Sequence, residues 1–561
     1  MSIFIFIDMD AIHFFCPRGA VTPEMLTAAY QYGLDRTPRP ANLNWDDASS
    51  ILTLYLPGRE SIHLSFPWTI PEIGHMLIST GTLDRQNQIP YFLSVELARG
   101  LCVAVRNQAA DWEIAGLIGS NDFWNTIHEA GRRMHQAACL ALHENPPQEE
   151  IDALANTSMQ LSSRASVMLT QSYVDRILAL RESTFRAQQN LNAIQEEESY
   201  SAGETSSEES ISVLNETPAD ISESGTAVHS MDAMPPKWIG ARLNSSTLEK
   251  EVKDLFLETF NIVSLDISWG KIVTDPEELD NFQKQVDWCY SNGFYLSAGP
   301  LLNFSAPRIP SFIQKYRGDF SAICMHVREH VEKVVKRFRN KIKTWIATSH
   351  VNTHFSLGLN PIQQLELTAR IMSWIREFHP TAKISTSVDQ PWGDGLLPTP
   401  TGVIEMLDFQ LTPTTCAEIL LRSRLGLSSL ILDFNVGYRN RATYDRPLVE
   451  WSRMIDNWSQ FKLPLYLSVR FPSSCEPDPK AFISSPPVWE GFSQRQQNYW
   501  AATVLPLVLA KPQVHGIYWG DFRDYCPHDY ANAGLISRDG KIKKALRTVA
   551  DIQQKFNFDD F

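Results

Sequence analysis

Paired cysteines are missing from this sequence. Cys16, Cys102, Cys139, Cys289, Cys324, Cys416, Cys475 and Cys526 are scattered, with no C-x-x-C spacing among them. That excludes the disulfide framework of a small secreted domain and a four-thiolate zinc site. Long hydrophobic runs are missing too. None approaches the about 18 apolar residues a spanning helix needs, so no membrane partner is expected. The opening "MSIFIFIDMDAIHFF" lacks a basic flank and carries Asp8 and Asp10. It is expected to be a strand rather than a signal peptide, which points to the cytoplasm. An excess of basic residues is also absent. Lys and Arg number 50 against 64 Asp and Glu, for a net charge of −14. Long anionic partners such as nucleic acid are therefore disfavoured. There is no phosphate-cradling glycine loop and no G-x-S-x-G, so no cofactor is expected.

One stretch lacks positive charge altogether. Between Arg186 and Lys237 there is no Lys or Arg, and "EEESYSAGETSSEESISVLNETPADISESG" offers little to bury. Such a segment repels itself and pays more in chain entropy than it recovers. Residues 191–234 are expected to be a disordered acidic linker, with a phosphorylated docking tail as the alternative.

What is present divides at that linker. The 561 residues are 43% hydrophobic and 11% aromatic, enough for several cores. Residues 1–120 begin with short apolar runs between turn signals, "SIFIFI", "ILTLYLPG" and "SIHLSFPW", which predict a β-rich module. The module closes with "YFLSVELARGLCVAVRNQAADWEI", whose apolar spacing is helical. Residues 121–190 predict a helical extension of two long helices. Asn121 or Asp122 would cap the first, and Pro146-Pro147 would separate the two.

After the linker, over 235–561, strand-like runs alternate with helical ones. The runs are "WIGARL", "FNIVSLDI", "FYLSAG", "KTWIATS", "AKISTSV", "SSLILDF", "PLYLSVR" and "VHGIYW". Helical patterns such as "PIQQLELTARIMSWIREF" and "RQQNYWAATVLPLVLA" separate them. Eight strands each followed by a helix argue for an α/β fold of the closed (β/α)8, or TIM, barrel type. "VIEMLDFQLT" (403–412) is a ninth strand-like piece, assigned to an elaborated loop after the fifth strand.

In such a barrel, chemistry sits where strands end and βα loops begin. That rule alone collects the candidates. They are Asp266, Ser268 and Trp269 after the second strand, and Asn303 after the third. Ser349, His350 and Asn352 follow the fourth strand. Asp389, Gln390 and Trp392 follow the fifth. Asp433, Asn435, Tyr438 and Arg439 follow the sixth, and Arg470 the seventh. Trp519, Asp521, Arg523 and Asp524 follow the eighth. Carboxylates, amides and indoles together suit sugars: planar groups for hydroxyls, aromatic faces for C–H surfaces. Each residue singly is as well explained as a loop ion pair or a cap. Two other patterns are set aside. "HVREH" (326–330) matches H-x-x-E-H but falls on a helix expected outside the barrel. "YCPHDY" offers Cys526 and His528, and two ligands do not make a zinc site. No metal is expected.

Three segments carry a resemblance: "ETFNIVSLDISWGKI", "REHVEKVVKRFRNKIKTWIATSH" and "NAGLISRDGKIKKAL". Over roughly 238–550 the chain resembles glycoside hydrolase family 10, the endo-1,4-β-xylanases. The resemblance implies a β-glycan or β-linked oligosaccharide partner and a cleft lined by Trp519. It also implies two glutamates about 5–5.5 Å apart as acid/base and nucleophile. Here the first falls on His350, with Ser349 before it, and the second on Val469 or Arg470. Asp266 lies nearest the family's strand-two glutamate. Neither valine nor arginine can attack an anomeric carbon. Three readings follow. The chain hydrolyses O-glycosidic bonds with a relocated pair, Asp433 and Asp389, helped by His350. Or it binds glycans without turnover. Or it uses the barrel only as an interaction scaffold. In the N-terminal module, Trp45, Trp68 and Trp112 are either core residues or sugar-stacking platforms.

Overall fold

The computed structural model describes residues 11–33, 36–56, 61–84, 89–203, 236–246, 248–393, 412–438, 444–484 and 491–557. "SIFIFI", most of the acidic linker, Arg439 and nearly all of "VIEMLDFQLT" lie outside the described residues.

Among the described residues, the N-terminal strands form two four-stranded sheets. In one, Ala11–Phe15 pairs antiparallel with Ile51–Tyr55 and parallel with Tyr91–Phe92. In the other, His63–Ile70 pairs antiparallel with Tyr30–Tyr32 and Gly74–Ser79. Three long helices follow: α1 (Leu93–Ile114), α2 (Asn121–Leu140) and α3 (Gln148–Gly203). The cap of α2 is Ser120, whose hydroxyl accepts the Phe123 N–H at 3.1 Å, so the expected Asn121 or Asp122 is displaced by one position. Helix α3 continues to Gly203, beyond the boundary expected near residue 190. Glu, Gln and Ala there are good helix formers, and their propensity outlasts the apolar stripe.

The second half closes into an eight-stranded barrel. Its strands are β1 (Trp238–Leu243), β2 (Ile262–Leu265), β3 (Tyr295–Ala298), β4 (Thr344–Ile346), β5 (Lys383–Asp389), β6 (Leu427–Asn435), β7 (Leu465–Arg470) and β8 (Val514–Trp519). All neighbouring pairs are parallel, and β8 pairs with β1 to complete the ring. The predicted (β/α)8 architecture is thus present, each strand within two residues of its expected place except the fourth, which ends at Ile346, three residues short of Ser349. Gly516 on β8 serves the closure onto β1: a Cβ there would stand 2.4 Å from the Trp238 carbonyl oxygen.

Side chains alternate across each strand with a period of two. One set, Leu430, Leu432 and Phe434 on β6 or Leu465, Leu467 and Val469 on β7, is buried in the hydrophobic core. The other set is polar: Ser385, Ser387 and Asp389 on β5; Asp433 and Asn435 on β6; Ser468 and Arg470 on β7. Tyr518 on β8 reaches Ser297 on β3 at 3.2 Å. Those strands are not neighbours, so the polar set fills the barrel interior and rises to the mouth.

The N-terminal helices lie on the barrel. Trp112 of α1 and Tyr173 of α3 stack at 4.3 Å, and the Lys511 ammonium sits 5.5 and 5.2 Å from their ring centres. Arg453 donates to the Ala104 carbonyl at 2.9 Å, and the Leu77 N–H to the Asp445 carbonyl at 2.8 Å. Trp68 and Trp112 are buried and Trp45 packs against the core. No described helix is long and apolar enough to cross a membrane.

Candidate functional site

Strand ends bring the mouth together. β6 and β7 run side by side with Asn435 opposite Arg470. Arg470 Nη1 donates to Asp433 Oδ1 at 2.5 Å, to Asn435 Oδ1 at 3.0 Å and to Ser468 Oγ at 3.2 Å. Its Nε donates to Asp521 Oδ2 at 3.0 Å, and its guanidinium lies 5.0 Å from the Tyr530 ring centre. A second node adjoins the first. Asp266 accepts both Arg242 and Arg308 Nη1, the latter at 2.6 Å. Asp529 accepts Arg308 Nε at 3.1 Å and Arg242 Nη1 at 3.4 Å. Three guanidiniums therefore face four carboxylates in one buried lattice.

Burial raises a carboxyl pKa, and opposite charge lowers it. At Asp529 burial acts upward, but Arg308, Arg242 and Arg470 outweigh it and hold the carboxyl far below the usual range. Asp266 is likewise held down, by Arg242 and Arg308 against burial. At Asp521 burial wins over Arg470 and the pKa is raised.

Asp389, the last residue of β5, belongs to a different group. Its Oδ2 lies 2.9 Å from His350 Nδ1 and accepts Thr353 Oγ1 at 2.8 Å, while Oδ1 accepts Asn435 Nδ2 at 3.0 Å. Asn352 clamps its backbone, donating to the carbonyl at 2.7 Å and accepting the N–H at 3.0 Å. Burial would lower the His350 pKa; Asp389 outweighs it and holds the imidazole above its ordinary value. His350 itself sits at φ +59° and Gln390 at +53°. Non-glycine residues in this left-handed region carry strain that surrounding structure must hold.

The remaining candidates divide by burial and contact. Ser349 pairs in register with Asn303 on a short parallel ladder beside the barrel. Asn303 Oδ1 accepts the Ser305 N–H at 2.9 Å. Ser268 caps a short helix, and Trp269 is buried with its ring stacked on His330 at 5.3 Å. Trp519 was expected to line a cleft; it is 1% exposed, and its indole donates to the Ala533 carbonyl at 2.8 Å. Tyr438 is equally buried and donates to the Ala531 carbonyl at 2.7 Å. Arg523 donates to Asn244 Oδ1 and the Ser246 carbonyl, both at 3.2 Å. Asp524 holds the Lys543 ammonium at 2.5 Å. Trp392 is half-buried, edge-on to Trp451 at 4.7 Å, with the Arg446 guanidinium 4.4 Å from its ring centre.

Arg242, Arg308, Thr353, His354 and Asp529 were not singled out in the sequence. Arg242 had a legible signal, a charge at an inward position of "WIGARL". Arg308 and Asp529 had none, because they lie 221 residues apart and Arg308 is 42 from its other partner, Asp266. "HVREH" lies on the outer helix Phe320–Phe338 as expected, and burial pushes His330 down to about 3.

Two cavities matter. At the mouth, between Arg242, Asp266, Arg308, Asp521 and Asp529, the void is about 30 Å³. That holds a water or two and no pyranose. Between the N-terminal module and the barrel a cavity of about 560 Å³ is lined by Tyr30, Tyr32, Trp392, Arg446, Glu450 and Trp458, among others.

No protein-family model matches the chain, and no curated protein matches it. Solved structures do. Xylanase 10B from Thermotoga maritima is similar at 14% identity and a TM-score of 0.41, over 57% of this chain and 95% of that one. Xylanase 10B from Thermotoga petrophila, solved with xylobiose, is similar at 16% identity and 0.41, over 57% and 94%. Xylanase B from Clostridium stercorarium is similar at 13% identity and 0.42, over 56% and 97%.

Proposed function

We propose that this protein binds β-linked glycans and does not cleave them by double displacement. The observation that carries the reading is the engagement of Arg470. Of the two residues at which the resemblance would put a nucleophile, Val469 is a core side chain and Arg470 is a guanidinium fixed to Asp433 and Asp521. A retaining pair needs two carboxyls with a sugar between them. Here the mouth carboxylates Asp266, Asp433, Asp521 and Asp529 each face an arginine, and among the described residues the void beside Asp266, Asp521 and Asp529 is about 30 Å³. The cavity of about 560 Å³ is of ligand size and combines aromatic faces with planar charged groups. Its Trp392 belongs to the loop after β5, so glycan recognition is assigned to this cavity.

The test pairs calorimetry on a panel of xylo- and gluco-oligosaccharides with a reducing-end assay on the same samples. Binding without turnover is expected, and Trp392→Ala should weaken it. Absence of binding across the panel would leave the scaffold reading. A second reading rests on one observation, the Asp389–His350 contact at 2.9 Å, which could move a proton. Release of reducing ends that Asp389→Asn abolishes would establish that reading instead.

A further inference from the structure

His350 and His354 are four residues apart, and the His354 N–H donates to the His350 carbonyl at 3.1 Å. That single α-turn puts both imidazoles on one side, as spacing of four does in a helix. Their ring centres are 4.7 Å apart. Asp389 arrives from the end of β5. One ligand atom from each of the three residues lies within 4.8 Å of the others.

Two imidazoles and one carboxylate are a donor set for divalent first-row transition metals. The surroundings fit that use. Among the described residues, Asp266, Asp433, Asp521 and Asp529 each face a guanidinium, but Asp389 meets no Arg or Lys. Its partners are an imidazole, a hydroxyl and an amide. Thr353 Oγ1 bridges the site, 2.8 Å from Asp389 Oδ2 and 3.0 Å from His354 Nδ1. Asn435 and Asn352 fix the carboxylate from its other sides. This is the outer layer that orients metal ligands. His354 is half-buried, so an ion can enter past it. Donors of a tetrahedral zinc lie about 3.3 Å apart.

A second trio offers a contrast. Asp478, Asp524 and His528 also cluster, but Lys543 Nζ is 2.5 Å from Asp524 and also donates to Ser473 Oγ and the Gly534 carbonyl. A lysine ammonium already supplies the positive charge there.

We infer that His350, His354 and Asp389 form a site for a divalent transition-metal ion of the zinc type at the barrel mouth. Three protein ligands leave at least one position for water or a sugar hydroxyl. The site does not depend on the glycan reading, because its test is metal binding alone.

The full-length protein, stripped with a chelator, is titrated with Zn2+ by calorimetry and with Co2+ by visible absorption. One equivalent is expected to bind. His354→Ala and Asp389→Asn should each weaken binding by about tenfold or more, since loss of even an outer partner does as much. His528→Gln should leave binding unchanged. A thermal melt of each variant checks folding. If Asp389→Asn does not fold, half-buried His354 decides alone. Wild-type protein that binds no stoichiometric metal would overturn the inference, leaving an ordinary Asp–His pair. So would binding that survives His354→Ala, or binding lost in His528→Gln.

Discussion

Arg470 Nη1 lies 2.5 Å from Asp433 Oδ1 at the centre of the barrel mouth, and the two residues are 1% and 4% exposed. Neither charge has water to fall back on. Removing the guanidinium leaves Asp433 and Asp521 buried without their direct cation. Breaking one side of a buried pair costs about 3–5 kcal/mol. Arg470→Met should lose that much in urea denaturation. Arg470→Lys should recover only part, because a point charge cannot reach both carboxylates in the planar fork's geometry.

Gly520 follows from the same arginine. A Cβ on it would stand 2.5–2.7 Å from Arg470 Cζ, Nε and Cγ. Gly520→Ala therefore has to displace the side chain that neutralises the mouth. A cost of about 1–3 kcal/mol is expected. In the Arg470→Met background the crowding eases, so the two changes should be less than additive in a double-mutant cycle.

This pair also shows where sequence reading stopped. The barrel was legible because its strands are bounded apolar runs, alternating with helical patterns of fixed length. The strand-end rule then named Arg470, Asp433, Asp521, Asp389 and His350, and these five do meet at the mouth. It could not say which carboxylates would be neutralised. Arg242, Arg308 and Asp529 come from β1, the loop after β3 and the loop after β8, and only closure of the ring makes them neighbours. His354 was passed over for a local reason: its place beside His350 depends on one turn of backbone after a left-handed residue. Trp519 and Tyr438 read as ligand platforms because aromatic residues at strand ends look alike whether or not loops later cover them.

Acid should loosen the mouth. Asp529 and Asp266 have folded pKa values below their ordinary 3.8, despite burial, because Arg308 and Arg242 hold them ionised. Such groups contribute stability that is complete above about pH 4 and is lost as pH falls towards the folded values. Asp521, whose burial raises its pKa, acts in the opposite sense and offsets part of the loss. Urea midpoints measured from pH 7 down to 3 should fall on the acid side. Arg308→Met should lower the whole curve and flatten that acid limb, since it removes a cause of the depression. A limb equally steep in the variant would locate the acid sensitivity elsewhere.

The docking of the N-terminal helices turns on Lys511. Its ammonium is 2.8 Å from both oxygens of Asp456 and faces the stacked rings of Trp112 and Tyr173. Burial lowers its pKa, and Asp456 opposes that. An ammonium so placed gains from the ring faces as well as from the carboxylate. Trp112→Ala removes a buried indole and one of those faces, at a cost of about 3–5 kcal/mol by denaturation. Lys511→Met keeps the packing and loses the charge, so its cost should be smaller. If the cation and the rings act together, the double variant should be more stable than the sum of the single losses, by about 0.5–2 kcal/mol. Strict additivity would mean that the helices are held by apolar burial alone and that Lys511 merely borders the interface.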